Sequence, residues 1–175
     1  KSVIQGTRAL LHNAGLGHEW WSEAMQAWCC GRNFSVTPCH GTACHDEAFV
    51  GQTSHEVHFG ESFKGKLVPF GSRFFWKCLN PDLNKEAAKF ADPTREGIFM
   101  GYYIHAGCRW SGDYLVMDTA SYAKQPDDSL CHVHRVKDIA IPDGRRVFPV
   151  KDGILRHHNP EAHDLGKHDT SRPLG

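Results

Sequence analysis

Apolar positions along the chain change period about one third of the way through. Over residues 2–14, Val3, Thr7, Leu10, Leu11 and Ala14 recur at helical spacing, and Gly15 supplies a natural stop. A second helix is expected from just after Gly17 to about Gly31. Its apolar stripe is Trp21, Ala24, Met25, Trp28 and Cys29, read as a core-packing face, with Glu19 and Glu23 in the first turn, where the helix dipole favours acids. Beyond residue 68 the pattern becomes short, aromatic and turn-bounded. Four stretches read as strands: Pro69–Lys77, Arg95–Tyr103 after the turn signal Asp92-Pro93-Thr94, Asp113–Asp118, and Val133–Ile141. Four strands at such short spacing predict a small antiparallel barrel or curled sheet, so the fold class expected is α+β.

Between the two regimes, residues 46–66 hold a short apolar element and a turn bearing Gly60, Lys64, Gly65 and Lys66. Loops are expected over 80–85, 106–112 and 126–129. From Asp152 onward histidine, glycine, proline and charge dominate, which predicts a loose tail. The expected organisation is therefore helices over 1–38, a linker over 39–63, a barrel over 64–150 and a flexible tail over 151–175.

The formal charge is zero but unevenly spread. From His12 to Ser62 one basic residue faces six acidic ones, whereas from Phe63 to Arg109 eight basic residues face four acids. A basic half beside an acidic half points to a surface that meets a polyanion. Seven cysteines, an odd number, and no leader with a basic start and apolar core predict reduced thiols in an intracellular setting, cytoplasmic or nuclear. No apolar run approaches the roughly 20 residues of a membrane span. The start without methionine, inside a predicted helix, suggests a fragment.

Motifs of common chemistry are missing. There is no Gly-x-Ser-x-Gly elbow or P-loop, and Gly15-Leu16-Gly17 lacks the third glycine and the preceding strand of a dinucleotide fingerprint. Cys39, His40, Cys44 and His45, with Cys29 and Cys30 upstream, are residue types that suit zinc. Their spacing lacks the paired knuckles of common zinc modules, so a polar loop is the preferred reading. Asp127-Asp128 in a Pro/Ser loop reads as solvated. The stronger lead is basic: Lys64, Lys66, Arg73, Lys77, Arg109, Arg135, Lys137, Arg145 and Arg146 sit in or beside the predicted barrel. A small barrel with basic rims can hold a phosphate backbone by charge without reading bases. The competing reading is a protein-interaction barrel that uses Trp76, Trp110 and Tyr114; a zinc-dependent domain ranks last.

Taken in order, the motifs resemble the integrase region of copia-type retrotransposon polyproteins, from the end of the catalytic core into the barrel that follows. Arg8, Leu10, Leu11, Gly15, Leu16, Trp20, Trp21, Glu23, Ala24, Asn33 and Pro38 match its helical landmarks. Phe70-Gly71, then Gly97, Ile98, Phe99, Gly101 and Tyr102, match its next two. Tyr114, Leu115 and Asp118, then Lys137, Asp138 and Ile139, close the pattern. The chain departs from the family at Ser72, where many relatives carry cysteine, and across the 39–63 linker.

The resemblance implies that residues 1–38 are the terminal helices of a ribonuclease H-like core and residues 64–142 an SH3-like barrel. It implies DNA and other integrase subunits as partners, and no membrane. The family's metal-binding acids, and the Mg or Mn ions of the parent integrase, would belong upstream of Lys1. No catalytic residue, metal site or cofactor is therefore expected in this stretch, and no strand transfer from it alone. Helices without their usual sheet would leave Trp20, Trp21 and Trp28 as an exposed patch or a self-association surface.

Overall fold

A computed structural model describes residues 1–36, 51–77, 94–124 and 131–155. The Cys39–His45 cluster, the 80–85 and 126–129 loops and Asp127-Asp128 lie outside the described residues. The architecture is α+β. Helix α1 (Ser2–Ala14) ends at Gly15 in the left-handed region, φ 71°, as the sequence predicts. A 3-10 turn (His18–Trp20) leads into α2 (Trp21–Phe34), which pairs with α1. The short α3 (Ser54–Phe59) opens with a reciprocal cap: Thr53 Oγ1 accepts from Glu56 N–H and Glu56 Oε2 accepts from Thr53 N–H.

Five strands follow: β1 (Arg73–Lys77), β2 (Thr94–Ile104), β3 (Trp110–Asp118), β4 (Val133–Val136) and β5 (Ile139–Ala140). Every pairing is antiparallel, in the order β4-β3-β2-β1-β5. The stretch expected as one strand over Val133–Ile141 is thus two strands on opposite edges of the sheet. Only Lys137 and Asp138 lie between them. Three residue steps span at most about 11 Å, whereas the edges of a flat five-stranded sheet stand about 19 Å apart. The sheet is therefore curled, its two edges drawn together by the chain itself.

Both faces of the curled sheet are covered, which is why β2 reads as a continuous apolar run rather than an alternating one. The inner face holds Phe74, Trp76, Phe99, Tyr102, Tyr114, Val116, Val136 and Ile139. The outer face of β2 and β3 presents Ile98, Met100 and Met117 to Ala14, Leu16, Trp20 and Ala24 of the helical segment. A bulge decides which residues face where. Between Phe99 and Gly101 the register against β3 slips by one residue, so Tyr102 returns to the inner side. Gly101 adopts φ 135° at this point, and a methyl group there would meet the Ala27 side chain at 3.7 Å.

Two expectations about the helices are corrected. Trp20 is not part of an exposed patch: it is 6% exposed, beneath the helices on the outer face of the sheet, and Trp28 is half-buried against Gly6 of α1. The stripe on α2 is also rotated from the one predicted. Ala24, Ala27, Cys30 and Phe34 are buried, while Trp21 and Met25 face solvent. Small residues at 24 and 27 let the helix axis approach the sheet, and bulky Trp21 or Met25 would hold it off. A further helix, α4 (Thr119–Lys124), was not anticipated. Of the stretch expected as a flexible tail, residues 151–155 form a hydrogen-bonded turn on Phe148–Val150, with Leu155 packed against the helix-side core, and 156–175 lie outside the described residues.

Gly71 marks the tightest junction between helices and sheet. Its φ is 78°, and a methyl group there would stand 2.9 Å from Ala14 Cα. Gly71→Ala should lower unfolding free energy by about 2–3 kcal/mol, combining left-handed strain with the clash. Gly107→Ala has a similar φ of 77° but open space around it, and should cost about 1 kcal/mol. Urea unfolding of both variants checks this; equal costs would mean that the Ala14 contact is not tight.

Candidate nucleic-acid interface

The nine basic residues do not fall in one place. Five of them follow one edge. Strand β1 pairs with β5, and flanking bonds continue the alignment: Lys77 N–H donates to Asp138 O at 3.4 Å and Arg73 N–H to Val147 O at 2.8 Å. Lys77 and Lys137 therefore lie toward one end of this edge, and Arg73 lies near Arg145 and Arg146 toward the other. Lys77, Lys137, Arg145 and Arg146 are exposed and make no side-chain ion pair among the described residues. The exposed acids of the same stretch are Asp138 and Asp143. Arg73 is half-buried, and its Nε is buried without a hydrogen-bond partner.

Lys66 joins this edge from the strap over residues 60–72, which connects α3 to β1. Its backbone N–H donates to Tyr114 Oη at 2.9 Å, and its Nζ donates to Ile139 O at 2.9 Å. Tyr102 holds the same strap, its hydroxyl accepting from Val68 N–H and donating to Lys66 O, both at 3.1 Å. Burial pushes the Tyr102 phenol up to about 12, so it stays a neutral donor at physiological pH. Lys66, Lys77 and Lys137 border a single cavity of about 370 Å³ against Trp76 and Ile139. Thr94 and Asp138, not among the nine candidate site residues, line it too. Lys77 and Thr94 are cross-strand partners, a neighbourhood that only the strand register could have disclosed.

The other three residues are otherwise engaged. Lys64 pairs with Glu61 at 2.8 Å on an exposed turn. Arg109 lies over the Phe59 ring, 5.6 Å from its centroid. Arg135 donates to Asp113 Oδ2 at 2.6 Å and covers the Tyr103 ring at 4.1 Å. Asp113 is held below the usual carboxylate value, chiefly by the Arg135 hydrogen bond. Ser111 Oγ donates to Asp113 Oδ2 at 2.6 Å and so can only accept from His105 Nε2, 2.7 Å away. In a nucleophilic triad the imidazole stands between hydroxyl and carboxylate. Here the hydroxyl stands between them, and the group works as a clamp on the β2–β3 hairpin.

The aromatic residues of the protein-interaction reading lie inside. Trp76 is 3% and Tyr114 4% exposed, and Trp110 is half-buried against Phe63 and Tyr102. Phe34 and Phe63 stack at 3.8 Å, closing that end of the curled sheet. The other end is closed by Trp76 stacked on His134 and by Arg95, whose Nε and Nη2 each reach Asp118 at 2.9 Å. Gly97 leaves room for this, since a methyl group there would sit 2.9 Å from Trp76 Cδ1.

Among the described residues, no three His, Cys, Asp or Glu side chains stand close enough to hold a metal ion. Cys29, Cys30 and Cys108 are free thiols, and no helix among the described residues is long and apolar enough to cross a membrane. Compared with protein-family models, curated proteins and solved structures, the chain matches none.

Asp118 also caps α4, accepting from Ser121 N–H at 3.0 Å and Ser121 Oγ at 2.8 Å. Burial alone would raise its pKa, but the Arg95 and Ser121 hydrogen bonds more than offset this and hold it below the ordinary 3.8. A depressed carboxylate stabilises the fold above its unfolded pKa and loses that contribution as pH falls through the folded value. Asp118→Asn should therefore cost about 2–3 kcal/mol near pH 7, with the gap to the parent chain closing as pH falls below about 4. Unfolding measured across that range checks it; a pH-independent gap would contradict the charge-based account.

Proposed function

We propose that the chain is part of a copia-type retrotransposon integrase and that its curled sheet is an SH3-like barrel gripping nucleic acid by its phosphates. In this reading α1 and α2 are the closing helices of a ribonuclease H-like core, the setting is cytoplasm and nucleus, and the parent enzyme supplies the metal ions and their acids. The stretch itself binds and positions; it performs no strand transfer. One observation carries the proposal: Lys77, Lys137, Arg145 and Arg146 follow a single edge without ion-pair partners among the described residues. Unpaired cations in a row suit a phosphate backbone, which is contacted through charge and not sequence. The chain crossing from β4 to β5 within two residues supports the barrel, because it requires strong curl.

A second role, contact with another integrase subunit, has its own support. Trp21 is 56% and Met25 38% exposed on adjacent turns of α2. This face lies on the helical segment and the basic edge on the sheet, so the two roles use different surfaces.

Salt tests the main reading. Binding of the chain to a short random duplex should weaken steeply as salt rises. Lys77→Glu with Lys137→Glu should cut affinity at least about tenfold and flatten the log–log salt slope by roughly two. Unchanged affinity and slope would remove the edge from any role in binding. Arg73 is a poor choice for this test, because its guanidinium is packed into the fold.

A further inference from the structure

A strip that merely follows a backbone needs no cavity, yet part of this edge is concave. Lys66, Lys77 and Lys137 border about 370 Å³, and among the described residues Asp138 is the one carboxylate lining it. Lys66 is fixed there by its bond to Ile139 O, and an ammonium has three donors, so two remain for a ligand. The remaining wall is largely apolar, with Trp76 and Ile139 from the inner core. Such a volume is at the lower end of small-molecule sites. It suits one nucleotide and is far too small for a duplex.

We propose that this cavity takes the terminal phosphomonoester of a nucleic-acid strand, an inference that rests on the nucleic-acid reading above. Charge favours it. Three lysines against one aspartate match a group carrying about −1.5 to −2 at neutral pH. An internal phosphodiester carries a single charge and so gains less from three lysines than a terminal phosphomonoester does. A strand end presents its phosphate first and has a sugar on one side only.

The test compares three versions of one short duplex, with 5′-phosphate, 3′-phosphate or hydroxyl ends only, bound by the whole 175-residue chain. One phosphorylated form should bind about tenfold tighter than the hydroxyl form near neutral pH, and which one does so identifies the strand end. That ratio should shrink below about pH 6, where the phosphate takes up its second proton. Lys77→Gln with Lys137→Gln should bring the ratio toward one. Arg145→Gln with Arg146→Gln, outside the cavity, should weaken all three duplexes alike and leave the ratio intact. Equal binding of all three forms by the unaltered chain would overturn the terminal-phosphate site while leaving backbone binding in place. Absence of binding to any form at low salt would overturn both.

Discussion

Two residues, Lys137 and Asp138, impose the geometry on which the rest depends. They carry the chain from the last strand on one edge of the sheet to the last strand on the other. No flat sheet permits so short a crossing, so the strands must wrap around a core. The same crossing brings Lys137 beside the end of β1, where Lys77 lies. Curl and basic edge therefore share one cause.

Wrapping a sheet this small leaves two open ends and a strap to secure. The bulge at Gly101 shifts the phase of β2, so that Tyr102 faces inward and its hydroxyl can reach the strap. Without that one-residue slip Tyr102 would face outward, toward the helices, and Lys66 would lose one of its anchors. Stacked aromatic rings close one end, and the Arg95–Asp118 pair closes the other. The outer face is sealed by α1 and α2. The helical and sheet segments consequently share buried surface instead of standing apart.

Much of this was legible in the sequence. Helices α1 and α2 followed from apolar spacing and from Gly15, and the antiparallel sheet from aromatic runs between turn signals. The break within Val133–Ile141 was not, because both halves are β-branched and only tertiary pairing separates them. The buried side of α2 was misread for a different reason. Hydrophobicity favours Trp21 and Met25, but close approach to a sheet selects the small side chains of Ala24 and Ala27. Of the nine basic residues, sequence could name the set but not sort it. Arg135 was drawn into a clamp by Asp113, and Lys64 and Arg109 found local partners. Those without an ion pair among the described residues lie along the β1–β5 edge, a neighbourhood created by register between distant segments.

The most direct test of the central claim is residue-level mapping: backbone amide chemical shifts of the chain, followed by NMR during titration with a short duplex at low salt. A phosphate-gripping edge predicts shifts concentrated over residues 73–77 and 137–147, with α2 little changed. Shifts concentrated around Trp21 and Met25, or none along β1 and β5, would contradict it.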